Sequence, residues 1–522
     1  MLSTAISLIT LCSAYLKFNP DFVSRTNQTL RSNAEYKTFK QKLDHFDPQS
    51  TTTFDQRYVI NTLYYKNSHT LILDISGESV MPANAASSGF VNVLAEQFEA
   101  VAVSLEHRYY GKSHPFAALT TDNLKYLSSQ QALADLATFV DFLRAGELKS
   151  HNIKHIIVTG GSYAGAMSAW FRTMYPHITF ASIASSGPVL AQMDFPEYDQ
   201  AISEAIDAKC RAAVQAATKE VEAAVVADYE KERETLKCTQ LSNKVDYLYV
   251  VADAVSYAIQ YNQDDGPAKK QTIKLLCDTL DDESIPTLKE RMNKFVGTIF
   301  EYLETDCFDF SSSRERLSSD VVSETQSSRQ WMYQVCTEFG YFQVAPAENS
   351  LRSALIDSQY HLDLCKAIFG KELVPDIEGI NRRYGGLDVK GNNIIFSNGE
   401  KDPWKMLSIL NASLATRTST AGTSNGGHVV PEDGRVERQK WGVFVIKDGS
   451  HCVDLHTPAP SDSQPLKNVR RYEIEMLKDW LAQNVVPVGF KFTDPVVLAS
   501  VVTIGVMVVA FIAIVIVLGA TY

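Results

Sequence analysis

The chain has 522 residues, 45% of them hydrophobic and 21% charged, with a formal net charge of −12. That length exceeds one ordinary hydrophobic core and predicts more than one folded part. The acidic balance, without any lysine or arginine run to track phosphates, excludes nucleic acid as the main partner.

Residues 1–16 are apolar or small and uncharged up to Lys17, with Ser13 and Ala14 near the end of the run. This predicts a secretory signal peptide with a poor basic n-region. The triplets Asn27-Gln28-Thr29 and Asn411-Ala412-Ser413 suit the same compartment, with Asn27 and Asn411 as glycosylation acceptors.

From about 54 to 188, strand-like runs alternate with helical segments. Residues 70–75, 100–105, 155–159 and 178–185 read as buried strands. Residues 130–143 place Leu133, Leu136, Ala137, Val140 and Leu143 at helical spacing. The rhythm implies an α/β fold, a doubly wound and mostly parallel sheet.

One stretch carries chemistry. In Ile156-Ile157-Val158-Thr159-Gly160-Gly161-Ser162-Tyr163-Ala164-Gly165, an apolar run enters a turn holding G-x-S-x-G, and helix formers follow. This is the sequence form of a nucleophile elbow. Gly160 and Gly165 lack a Cβ, so neighbouring backbone can approach closely. Ser162 would stand at the strand-to-helix junction, and the Tyr163 amide would face an oxyanion at the helix N-terminus. The loop Ser76-Gly77-Glu78-Ser79, after the first strong strand, is the expected source of a second donor through the Gly77 or Glu78 amide.

Between about 190 and 370 the texture becomes helical, rich in Ala, Glu, Lys and Leu. Cys210, Cys238, Cys277, Cys307, Cys336 and Cys365 all fall here, and Cys452 lies beyond. No C-x-x-C or His/Cys metal spacing occurs, so disulfides are the better reading, with their pairing open. Strand patterns return at 393–397 and 441–446, and 468–482 reads as a closing helix. The stretch 416–435 reads as a surface loop. The expected organisation is therefore a core in two parts, 36–189 and 371–485, around a helical insertion at 190–370. Residues 496–520 carry no charge and are long enough to span a bilayer, which predicts a membrane anchor, with a glycolipid-exchanged tail as the alternative.

A serine nucleophile needs a base, and the base needs an acceptor to hold its tautomer. In α/β-hydrolases these follow in the order Ser, Asp or Glu, then His, at strand ends. The strand at 393–397 runs into Asn398-Gly399-Glu400-Lys401-Asp402-Pro403-Trp404, and the strand at 441–446 into Lys447-Asp448-Gly449-Ser450-His451. Asp402 is the expected acid, with Glu400 a weaker competitor, and His451 the expected base. No strand delivers His428. His151 and His155 lack the intervening Glu of a zinc helix, and His107 reads equally well as a packing residue.

Several longer motifs then resemble one peptidase family. They are Glu106-His107-Arg108-Tyr109-Tyr110-Gly111-Lys112-Ser113, Tyr126-Leu127-Ser128-Ser129-Gln130-Gln131-Ala132-Leu133-Ala134-Asp135, the elbow, Trp331-Met332-Tyr333-Gln334-Val335-Cys336-Thr337-Glu338-Phe339-Gly340, and 398–404. The chain is similar, over about 36–481, to the family of lysosomal Pro-X carboxypeptidase, dipeptidyl peptidase II and thymus-specific serine protease. The resemblance implies an α/β-hydrolase core with a disulfide-bearing helical cap, and it carries the triad onto Ser162, Asp402 and His451. It also implies a substrate pocket with Trp404 on its wall. Glu338 would bind a substrate amino terminus or cap a helix. Leu455 stands where proline-cleaving members would carry an aromatic, which favours the thymus-specific branch over strict post-proline cleavage.

The expected activity is a serine exopeptidase acting on short peptides, in the lysosome or endosome or at the cell surface. A carboxylesterase or lipase, and a silent hydrolase fold used for adhesion, are the alternatives. Peptide substrates and the membrane are the expected partners, a homodimer is left open, and the chemistry calls for no cofactor.

Overall fold

The computed structural model describes residues 35–263, 271–410 and 441–484. The predicted signal segment, Asn27, Asn411, the loop at 416–435 with His428, and the apolar run at 496–520 lie outside the described residues. Among the described residues, no helix is long and apolar enough to cross a membrane.

In chain order the strands are β1 (Lys37–Lys42), β2 (Thr53–Asn61), β3 (Thr70–Ile75), β4 (Val101–Leu105), β5 (His155–Gly161), β6 (Ala181–Ser185), β7 (Gln192–Asp194), β8 (Gly340–Phe342), β9 (Ile394–Gly399) and β10 (Trp441–Ile446). Eight of them form one sheet in the order β1-β2-β4-β3-β5-β6-β9-β10. The β1–β2 and β2–β4 pairs are antiparallel, and every other neighbour is parallel. Strands β4 and β6 are buried at every position, as is β9. Apart from Asn398, their side chains are apolar or small, as a sheet covered on both faces requires. This is the α/β-hydrolase arrangement expected from the alternating pattern. The two antiparallel edge strands are an addition, because the polar alternation of Lys37–Lys42 gives no buried-strand signal.

The helices before the insertion are α1 (Gly89–Gln97), α2 (Ser129–Ala145) and α3 (Tyr163–Met174). Ser128 caps α2 by accepting from the Gln131 amide, and Leu133, Leu136, Val140 and Leu143 are buried along it. Helix α3 is buried from Tyr163 to Arg172.

Strands β6 and β9 are direct neighbours, so everything between them is an excursion from the sheet. It contains α4 (Pro196–Glu204), α5 (Ala208–Ala227), α6 (Tyr229–Thr235), α7 (Lys244–Gln260), α8 (Thr272–Asp281) and α9 (Leu288–Tyr302), followed by shorter helices. Disulfides join Cys210 to Cys277, Cys238 to Cys307, and Cys336 to Cys365. Cys452 is a buried free thiol. Strands β7 and β8 pair with each other and bring together two ends of the excursion, a link too short to read from pattern. The last described helix is Gln464–Asn484.

Glycine placement gives a test of this packing. A Cβ on Gly165 would lie 2.4 Å from the Ser185 carbonyl oxygen and 3.1 Å from that of Gly160, while one on Gly297, within α9, meets nothing within 4 Å. Gly165→Ala should therefore destabilise by about 1–3 kcal/mol. Gly297→Ala should stabilise by about 0.5–1 kcal/mol, because it removes only helical glycine's entropy cost. Urea unfolding of both variants reads the two signs, and equal shifts would contradict the packing described.

Candidate active site

The parallel register sets strand ends side by side. Gly161 pairs with Ser185, Ser185 with Ser397, and Gly399 with Ile446. The residues that follow β5, β9 and β10 therefore emerge along one edge of the sheet, where ligands bind in open α/β folds.

Ser162 leaves β5 with φ +59° and ψ −127°. Such a conformation costs about 1–3 kcal/mol in a non-glycine residue and persists only where its surroundings enforce it. Here the Ser162 amide donates to the Ser185 carbonyl at 2.9 Å, and its own carbonyl accepts from Ala166. A Cβ on Gly160 would lie 2.3 Å from the Ala164 carbonyl oxygen, so the tight return of the chain excludes any side chain there.

Asp402 is fully buried, and its Oδ2 lies 2.9 Å from Nδ1 of His451. Its Oδ1 accepts from the Trp404 amide at 3.0 Å, which fixes the carboxylate plane. Glu400, the competitor in the same loop, is exposed and accepts instead from the Asp448 amide at 2.9 Å. Asp402 therefore takes the imidazole. Nε2 of His451 is buried and makes no hydrogen bond, which leaves it available to a reacting group. Burial works against a charged imidazole, but the Asp402 charge outweighs it, helped by Cys452, and holds the proton affinity of His451 well above the usual histidine range. The turn before Ser162 and the loop after His451 touch: a Cβ on Gly161 would lie 2.9 Å from Cys452 Sγ and from Leu455 Cδ1. The Cys452 amide donates to Ser186 Oγ at 2.9 Å.

Tyr163 begins α3 beside the serine, and its hydroxyl is held by two side chains, one of them braced by a third. Gln334 donates to its hydroxyl at 2.9 Å, His107 Nε2 lies 3.1 Å from the same oxygen, and Tyr110 donates to Gln334 at 2.6 Å. Burial pushes His107 down to about 4. A neutral, packed His107 thus braces the Tyr163 ring. Gly77 packs against the first turn of α3, where its Cβ would lie 3.6 Å from that of Ala164. Glu78 is buried with Oε1 unpartnered. Burial pushes its carboxyl up to about 8, against the pull of its own amide and of His451.

Glu338 lies in a π-helical turn, Val335–Phe339. It accepts from the Ser129 amide at 2.9 Å and the Ser129 hydroxyl at 2.8 Å, so its carboxylate serves the N-terminus of α2. No hydrogen bond joins it to Ser162, Asp402 or His451. Trp404 is buried among Phe195, Tyr198 and Tyr341. His155 packs edge-on to Phe180.

The remaining motifs hold the frame. Glu106 takes Arg57, the Ser113 hydroxyl, and the amides of Lys112 and Met81. Arg108 pairs with Asp135, which ties the first motif to the second.

The match to the description "Serine carboxypeptidase S28" runs over residues 41–473. The chain belongs to the serine carboxypeptidase S28 family. It is 37% identical over 425 residues to "Probable serine protease EDA2" of Arabidopsis thaliana, covering 78% of this chain and 82% of that protein. It is 31% identical over 469 residues to thymus-specific serine protease of Homo sapiens, covering 85% and 86%. To lysosomal Pro-X carboxypeptidase of Bos taurus it is 28% identical over 505 residues, covering 90% and 91%. As an S28 protein the chain is a serine-type peptidase.

This S28 site and its surroundings collect buried carboxyls, and their sign can be worked out. Burial raises Glu78 to about 8, Asp253 and Glu338 to about 7, and Asp74 to about 6. Between their ordinary values and these, the folded state binds more protons than the unfolded chain, so stability falls as pH rises. His451, raised by Asp402, acts in the same sense. His107 at about 4 and His361 at about 3 act oppositely, but only below the ordinary 6.5. The melting temperature should therefore fall from about pH 6.5 to pH 8, and Glu78→Gln should flatten that fall. A melting temperature that holds level or rises across this window would contradict the assignment.

Proposed function

We propose that the chain is a lumenal serine exopeptidase that trims short peptides through an acyl-enzyme on Ser162. The observation that carries this reading is the 2.9 Å contact between His451 Nδ1 and Asp402 Oδ2, at the strand edge that also delivers Ser162. His451 Nε2 takes the proton of the Ser162 hydroxyl as its oxygen attacks the scissile carbonyl. The oxyanion that forms accepts from the Tyr163 amide and from the loop bearing Gly77 and Glu78. The imidazolium passes its proton to the departing amine, and water then repeats the sequence to release the acyl group. Asp402 keeps Nδ1 protonated and stabilises the imidazolium.

The helical excursion at 190–370 acts as a cap that admits peptide ends. The aromatic cluster around Trp404 serves the side chain next to the cleaved bond. A strict proline requirement is not part of the reading, because buried Leu455 packs against Gly161 where an aromatic was expected. Three disulfides and the relative named lysosomal Pro-X carboxypeptidase support a site in the secretory pathway. The run at 496–520 anchors the catalytic unit to the lumenal face of a membrane.

A fluorophosphonate probe should label the wild-type chain and leave Ser162→Ala unlabelled. Asp402→Asn should lower kcat on a cleaved peptide by about 10⁴-fold. Equal labelling of Ser162→Ala would remove the nucleophile assignment, and a peptide library read by mass then defines which terminus is trimmed.

The anchor has its own test. After alkaline carbonate extraction the full chain should stay with the membrane pellet, and a chain truncated before Val496 should be released. Release of both would remove the anchor and leave the peptidase reading intact.

A further inference from the structure

The base and the acid are also joined through the helical excursion. Helix α7 ends at Gln260, which is fully buried. A helix leaves its last carbonyls without intrahelical partners. One of these, the Gln260 carbonyl, accepts from the His451 amide at 3.1 Å. The Gln260 side chain reaches the other arm of the site, where Oε1 accepts from Trp404 Nε1 at 3.1 Å and from the Tyr198 hydroxyl at 2.8 Å. Its Nε2 donates to the Tyr261 hydroxyl at 2.9 Å, and the Tyr261 ring stands edge-on to the His451 imidazole, 6.3 Å between centroids.

These contacts close a ring. Trp404 donates its amide to Asp402, Asp402 accepts from His451, His451 donates its amide to Gln260, and Gln260 accepts from Trp404. A side chain placed there must accept twice and donate once while its backbone carbonyl, outside the helix's own hydrogen bonds, accepts from His451. Glutamine at a helix C-terminus meets all of these demands. The negative end of the α7 dipole also faces the loop on which positive charge develops during reaction.

We propose that Gln260 is a positioning residue for the peptidase reaction, holding the His451 and Asp402 loops in mutual register from the helical excursion. The proposal rests on the triad reading given above. It makes the excursion part of the catalytic apparatus as well as a cover for it. Loss of the side-chain arm frees the Trp404 end of the Asp402 loop while the backbone contact to His451 remains. The expected result is misalignment of the reacting groups with substrate binding largely kept.

The test compares full-length wild type, Gln260→Met and Tyr198→Phe on one fluorogenic peptide, with melting temperatures and fluorophosphonate labelling rates alongside. Methionine keeps the volume and removes every side-chain hydrogen bond. It should lower kcat by about 100-fold, the scale of a misplaced catalytic group, with KM changed less than threefold and a matching drop in labelling rate. Tyr198→Phe removes one of the two donors to Oε1 and keeps the ring, so a smaller loss of kcat in the same direction is expected. Should Gln260→Met melt well below the wild type, Tyr198→Phe decides the matter by the same split. Unchanged kcat and labelling in a folded variant would overturn the proposal, and so would a loss confined to KM. A wild-type chain that neither labels nor cleaves would instead defeat the triad reading itself.

Discussion

The parallel pairing of β6 with β9 is the constraint from which the site follows. Ser182 to Ser185 lie in register with Ile394 to Ser397, although the helical excursion separates the two strands in sequence. Without that pairing, the loop carrying Asp402 would have no fixed relation to the elbow carrying Ser162. With it, the ends of β5, β6, β9 and β10 share one edge, and three short loops need only bend toward one another. The energy that holds them is mostly that of a buried sheet, not of the polar contacts at its rim. The completely buried runs of β4, β6 and β9 supply it.

Most of the frame was legible because buried parallel strands and tight turns leave local signatures. Thr70–Ile75 and Trp441–Ile446 were readable as apolar runs, and the elbow as glycines spaced around a serine. The pairing of Asp402 with His451 was readable because each follows such a run directly. The reading failed where a role depends on a distant partner. Cys238 pairs with Cys307 across helices α7, α8 and α9, and nothing in their spacing selects that bridge over the others. Glu338 was balanced between two roles until Ser129, far away in sequence, decided its hydrogen bonds. Gln260 left no signal at all, since a glutamine ending a helix is ordinary until its partners are known.

The motifs that suggested the family are divided between chemistry and support. The segment from Glu106 to Ser113 touches no reacting group, yet Glu106 gathers an arginine, a hydroxyl and two amides into one buried knot. His107 in the same segment bears on the hydroxyl of Tyr163, and Gln334, from a motif hundreds of residues later, bears on it as well. Tyr163 is thereby fixed at both ends, by helix α3 at its backbone and by this network at its ring. An amide expected to meet an oxyanion has to be stationary before the charge appears, since preorganisation is what makes such a donor effective.

Behind the base loop a second polar layer follows the same logic at greater cost. Asp454 donates nothing and accepts from the Ser185 hydroxyl at 2.6 Å, and Glu473 accepts from Ser397. These two serines are register neighbours on β6 and β9, so two carboxyls from one end of the chain reach the same pair of strand ends. Both carboxyls are buried, and burial together with their mutual repulsion raises the proton affinity of Glu473 far above the ordinary carboxylate range. Arg470 donates to the Asp454 carbonyl at 2.7 Å and to the carbonyls of Val453 and His456, and its charge is paired with Asp462 at 2.6 Å rather than with either of the two carboxyls. Two carboxyls buried so near each other are accommodated most cheaply when one of them is protonated.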